Sequence, residues 1–359
     1  MQFIKPDINI DFVGRRKFAF GLSLVLILIG LAALVWRGSS LYGIDFAGGT
    51  IIQVRFNSPT RADKIRKGLK PIGLDRSAIQ RFGGEGESVF LIRTDASSSE
   101  LGNISKEVRE SLEKDYGEGT VIVERVEMVG PKVGEDLRQK ALLAIYYALL
   151  FIAIYISGRF EVKWMPALIM AGALILGVYV LRAAGMSIPM LILAALAITM
   201  ACCWFLKLKY ALGAVIALIH DVMITVGAFA IANKEFNLTV VAALLTIIGY
   251  SLNDTIIVFD RIRENLRTGK RRDFSEVVNS SINQTLSRTI LTSGTTIAVV
   301  TALFILGGGV IHDFAFALIV GVVVGTYSSI FVASPVLIAW EARFARARTG
   351  VTTRRRKTA

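Results

Sequence analysis

The 359-residue chain holds only two cysteines and two histidines, and only 19% of it is charged. Each scarcity excludes something. Cys202 and Cys203 are adjacent inside an apolar run, where they cannot form an ordinary structural disulfide and act as small buried hydrophobes. No Gly-Lys-Ser or Gly-Lys-Thr closes any glycine-rich stretch, so nucleotide hydrolysis has no motif, and proteolysis has none either. No catalytic residue, metal or cofactor is expected. With 53% hydrophobic residues and a mean hydropathy of +0.58, the chain is too apolar for an ordinary soluble globule. It reads as a polytopic α-helical membrane protein.

The net charge of +13 suggests nucleic acid until it is located along the chain. Residues 37–138 hold sixteen Lys/Arg and sixteen Asp/Glu, so the whole excess lies on the apolar part and its flanks, where it is topogenic. No nucleic-acid partner is implied. The first run, behind Arg15-Arg16-Lys17, is of spanning length and ends in the interfacial pair Trp36-Arg37, which favours a span over a signal peptide. Spans are expected at 18–36, 139–158, 209–232, 238–260, 288–307 and 314–340, with an inserted hydrophobic hairpin at 162–206 adding two more. An even count returns the chain to its starting side. That side is the cytoplasm by the positive-inside rule, holding the N-terminus 1–17, the loop 261–287 and a basic tail 341–359. Of the Lys/Arg beyond 37–138, only Lys140, Arg182 and Lys234 then fall outside.

Residues 37–138 alternate like a small folded domain. Thr50–Phe56, Ala78–Phe82, Ser88–Arg93 and Thr120–Val129 read as strands, Thr60–Leu69 and Ser98–Tyr116 as helices. The order β-α-β-β-α-β is the ferredoxin-like pattern, here in an extracytoplasmic domain. Its charges read as solvated surface. Gly43-Ile44-Asp45-Phe46-Ala47-Gly48-Gly49-Thr50 precedes it and Val129-Gly130-Pro131-Lys132-Val133-Gly134 follows it, which makes Gly48, Gly49, Gly130 and Pro131 hinge candidates.

Polar residues inside the spans are the remaining candidates. A carboxylate mid-span costs roughly 2.5–3.5 kcal/mol on insertion scales, so Asp254, beside Asn253 and one turn from Tyr250, reads as a proton or ion site, against a structural role as interhelical glue. His220 and Asp221 read equally as relay or glue. Adjacent residues on a helix do not face each other, so each is expected to find its partner elsewhere. Arg288, Thr292, Thr295 and Thr296 form a polar stripe, and Arg288 is expected at a depth where it could meet Asp254. Gly321, Gly325 and Ser329 repeat every four residues as a helix-packing face.

Taken together, GIDFAGGT at 43–50, VGPKVG at 129–134, ALIHDV at 217–222, IGYSLNDTIIVFDRIREN at 248–265 and QTLSRTILTSGTT at 284–296 resemble the SecF family of bacterial protein-export subunits, within the RND superfamily. The resemblance implies a multi-pass protein of the bacterial inner membrane. Its implied partners are SecD, the SecYEG channel, YajC and unfolded exported polypeptides, with energy from protons. It also implies that Asp254 of the NDT motif and Arg288 of the SRT motif belong to the proton path. One departure stands out: the family passes almost directly from Gly158-Arg159-Phe160-Glu161 to the His-Asp helix through six spans in all, whereas here the hairpin intervenes. Two other readings stay open, an RND-type exporter of small or lipid molecules and a passive scaffold or insertase.

Overall fold

The computed structural model describes residues 8–82, 88–94, 101–161, 164–268 and 273–344. The unbroken apolar run after Arg15 forms α1 (Arg16–Arg37), and a glycine-rich passage then leads through the one-turn α2 (Ile44–Ala47) into β1 (Gly49–Phe56). Next come α3 (Ala62–Gly68), β2 (Ala78–Phe82), β3 (Val89–Thr94), α4 (Leu101–Tyr116) and β4 (Val121–Val129). The remainder is helical: α5 (Pro131–Glu161), α6 (Trp164–Ala183), α7 (Ile188–Phe205), α8 (Lys209–Ile231), α9 (Leu238–Arg267), α10 (Phe274–Leu306) and α11 (Gly308–Ser328). After α11 a π-helical turn, Ser329–Ala333, leads into further α-helix to residue 344.

Among the described residues six helices are long and apolar enough to cross a membrane: Arg16–Arg37, Pro131–Phe160, Lys209–Ile231, Leu238–Arg267, Phe274–Leu306 and Ile311–Phe344. Shorter apolar helices, Leu168–Ala183 and Met190–Phe205, make up the hairpin. Several helices outrun their apolar runs. α5 begins at Pro131, so it crosses the boundary expected at 138, because Lys132–Lys140 is polar but helix-competent and carries the i,i+4 pair Asp136–Lys140. α9 and α10 likewise extend into the loop expected at 261–287. Residues 1–7 of the N-terminal segment expected at 1–17, residues 83–87, and the part of the basic tail expected at 341–359 that follows residue 344 lie outside the described residues.

The four strands form one antiparallel sheet in the order β2-β3-β1-β4. Alternation along β1 sends Ile52, Val54 and Phe56 inward to meet Phe90 and Ile92 of β3, Ile65 of α3 and Val108 and Leu112 of α4. This core is separate from the two large clusters of the helical bundle. A soluble protein of residues 40–136 is therefore expected to fold, with mixed helix and sheet in far-ultraviolet circular dichroism. A disordered spectrum would show that the bundle is needed to form the sheet.

α1 packs on α8 by close backbone approach, where a β-carbon placed on Gly30 would come 2.9 Å from Gly227 Cα. The hairpin packs one face on α5 and α8, burying Met170, Leu174, Ala195 and Cys203, and leaves Ile175, Leu176, Tyr179, Leu193 and Phe205 exposed. Removing it would return apolar faces of α5 and α8 to lipid, which is as apolar as the side chains lost. Deletion of 162–206 is thus expected to leave the chain inserted and at least partly active. Complete misfolding would show that the hairpin is integral to the bundle.

Candidate functional site

Asp254 lies in the middle of α9 and is only 2% exposed. Its carboxylate accepts one hydrogen bond, from Ser293 of α10 at a long 3.3 Å, and Ser293 is itself 2.6 Å from Thr326 of α11. Arg288 is close enough for its charge to act on Asp254, but no ion pair within 4 Å joins the two. Arg288, exposed, lines an open groove of ≈ 450 Å³ between α9 and α10, with Asn253, Asp260, Gln284 and Arg159. Neighbours along the helix thus serve different sides: Asp254 points inward, Asn253 outward. Tyr250 does not join Asp254 either; its hydroxyl donates to Thr296 at 3.2 Å. Thr292, Thr295 and Thr296 all donate back to carbonyls of their own helix. At the far end of α9, Asp260 pairs with Arg159 at 2.7 Å and Arg261 with Glu264 at 2.7 Å.

At the second polar centre His220 and Asp221 each have partners on other helices, and they also contact each other, which adjacent positions on a helix did not suggest. His220 Nδ1 is 3.0 Å from Asp221 Oδ1. Asp221, 1% exposed, also accepts on Oδ2 from Ser251 of α9 at 2.5 Å and from Ser328 of α11 at 2.9 Å. On the other side of the ring, Nε2 lies 2.9 Å from Ser23 Oγ of α1. Four helices therefore converge on one carboxylate and one imidazole. The serines escaped the sequence reading because a lone hydroxyl in an apolar run carries no periodic signal. Only their sequence proximity to recognised positions, Ser251 one turn before Asp254 and Ser328 beside Ser329, hinted at them.

Gly321 and Gly325 face α9, where β-carbons would meet Ile247 and Ser251 at 2.3 and 2.8 Å. Ser329 sits on the π-turn and donates to the Thr326 carbonyl. Extra-residue turns of this kind recur at functional positions in helices, and this one follows directly on Thr326-Tyr327-Ser328.

The hinge candidates form one joint. Gly48 has φ +78, and a β-carbon there would come 2.9 Å from Pro131 Cα. Gly49 pairs with Val129, and a β-carbon on Gly134 would press on Gly48 N and Phe46. The joint also holds the start of α9: Asp45 Oδ2 accepts from the Leu238 N–H at 2.9 Å, and Gly43 N–H donates to the Phe236 carbonyl at 2.7 Å. Arg93 of the sheet pairs with Glu235 in the same loop at 3.2 Å. The helix carrying Asp254 is thus tied at its first residue to the base of the sheet. Among the described residues no cluster of His, Cys, Asp and Glu could hold a metal ion.

Residues 42–60 match the SecD/SecF GG motif. Residues 108–196 and 182–343, two stretches that overlap inside the hairpin, match the C-terminal family of the protein export membrane proteins SecD/SecF. The protein translocase subunit SecF of Calditerrivibrio nitroreducens is 41% identical over 336 residues, covering 93% of this chain and 95% of that protein. That of Magnetococcus marinus is 43% identical over 339 residues, covering 94% of each. The crystal structure of SecDF from Thermus thermophilus, described as a translocon-associated membrane protein, superposes with a TM-score of 0.69 at 30% identity. It covers 95% of this chain, which spans 40% of that longer one.

Proposed function

Since the chain belongs to the SecF family of protein translocase subunits, we propose that it acts with SecD beside the SecYEG channel to couple the proton gradient to export of unfolded proteins. The observation that carries this reading is Asp254, a carboxyl buried mid-span with one long hydrogen bond and an arginine near it but unpaired. Desolvation favours the neutral form of such a group and an approaching guanidinium the charged one, so relative movement of α9 and α10 would load and release a proton. The movement has a way out. The first residue of α9, Leu238, is held by Asp45 beside the glycine joint, so a shift along α9 would tilt the sheet, which we class as a ferredoxin-like domain outside the cytoplasm that contacts the emerging polypeptide.

In this arrangement the hairpin supplies two of eight spans, both termini are cytoplasmic, and the membrane is the bacterial inner membrane. The α9–α10 groove, polar at Asn253, Gln284 and Arg288, is a costly surface to leave to lipid and suits a SecD helix. YajC would be a further neighbour. Isolation of the tagged full chain from native membranes in mild detergent is expected to bring SecD and SecYEG with it. Recovery without either would overturn the assignment.

A further inference from the structure

The hydroxyl chain beside His220 fixes how many protons the buried pair holds. The Tyr327 hydroxyl lies 2.7 Å from the Ala19 carbonyl, which can only accept, so Tyr327 gives its one proton there. Its oxygen then accepts from Ser23, 3.1 Å away, and that uses the only proton on Ser23. Ser23 is left able only to accept from His220, so Nε2 carries a hydrogen. Across the ring, Asp221 Oδ2 is occupied by Ser251 and Ser328, and the 3.0 Å contact between Oδ1 and Nδ1 needs one proton as well. Imidazole and carboxyl together therefore hold two protons in this structure.

We propose that His220 and Asp221 form a second proton-binding site, distinct from Asp254, whose occupancy is read out by the Tyr327 hydroxyl. Loss of one proton from Nε2 to water leaves Nδ1–H on Asp221 and turns Nε2 into an acceptor. The Ser23 O–H then swings to Nε2, and the Tyr327 O–H swings from Ala19 to Ser23. One proton leaves, no heavy-atom bond changes, and the tie between α11 and the α1 backbone at Ala19 is broken. The groups facing the pair are Ser23 on α1, Ser251 on α9, and Tyr327 and Ser328 on α11; the Tyr327 ring stacks on His220 at 6.0 Å. α5, packed on the same helix, presents Leu149 against Leu218. Asp254 follows Ser251 by three residues on α9. Three consecutive residues of α11 touch both acid sites: Thr326 contacts the Ser293 that serves Asp254, Tyr327 reports on His220, and Ser328 holds Asp221. A proton at one site thereby bears on the helix that lines the other.

The test uses the full chain in lipid bilayers, labelled with ¹⁵N-histidine and followed by solid-state NMR across pH. With two histidines in the chain, His312→Gln assigns the His220 signals. His220 is expected to lose the hydrogen on Nε2 as the pH rises and to end with a hydrogen on Nδ1 alone. In Tyr327→Phe, which keeps the ring and its packing, the pH of that change should move by about one unit, the scale of one hydrogen bond. Ser23→Ala should move it as well. An Nε2 of His220 that keeps its hydrogen wherever the protein stays folded would overturn the proposal, as would a Tyr327→Phe response identical to the parent. No export is measured, so the result is independent of the reading of Asp254.

Discussion

Asp254→Asn is expected to abolish the stimulation of protein export by a proton gradient while leaving the chain inserted and associated with its partners. The substitution keeps the size of the side chain and can still accept from Ser293, so whatever Asp254 contributes as glue is largely preserved. Ser293 does not depend on it, having Thr326 at 2.6 Å. What is removed is the exchangeable proton. Each charge crossing ~100 mV is worth about 2.3 kcal/mol, enough to shift a two-state equilibrium roughly fiftyfold, so loss of that one event should remove the gradient response entirely rather than dull it. Arg288→Met is expected to show the same phenotype, because Arg288 is exposed in the isolated chain and makes no ion pair with Asp254 whose loss would unfold the bundle. Export into membrane vesicles, measured with and without a gradient, decides the matter. An Asn variant that responds like the parent removes Asp254 from the coupling role.

Much of this architecture was legible in the sequence. The strands of the sheet lie within a residue or two of their expected ends, and in the two central strands inward and outward positions alternate, as along Ile52, Val54 and Phe56. Helix ends were less legible. Hydropathy marks where a helix meets lipid, not where it stops, so Pro131–Lys140 and Phe274–Ser287 extend their helices beyond the apolar runs. Asp254, Arg288, His220 and Asp221 stood out because charge inside a span is costly. Their partners did not, since Ser23, Ser251, Ser293 and Ser328 look like any serine in a helix until four helices bring them together. The pairing of distant motifs was equally hidden: nothing in GIDFAGGT alone says that Asp45 holds the first turn of α9.

Gly48→Ala is expected to disable the joint, and Gly130→Ala to be nearly silent, although both glycines border the sheet and both suggest hinges on sequence alone. Gly48 has φ +78 and ψ 176, a region that only glycine enters without strain of order 1–3 kcal/mol. The new methyl would also sit 2.9 Å from Pro131 Cα and 3.1 Å from its nitrogen, both backbone atoms at the start of α5 that cannot turn aside. Gly130 has no positive φ, and a β-carbon there meets nothing within 4 Å. Relief of the Gly48 clash requires α2 and α5 to separate, which would drag Asp45 from the Leu238 N–H and slacken the link between α9 and the sheet. The sheet keeps its own core of Ile52, Val54, Ile92 and Val108, so its fold should survive. Hydrogen exchange of the backbone amides at 43–49 and 238–240 should speed up by roughly tenfold to a hundredfold in Gly48→Ala, as a loss of about 1.4–3 kcal/mol implies, while exchange within β1 and β3 stays slow. Gradient-driven export should fall with it. Unchanged exchange at 238–240 in Gly48→Ala would show that the joint does not hold α9.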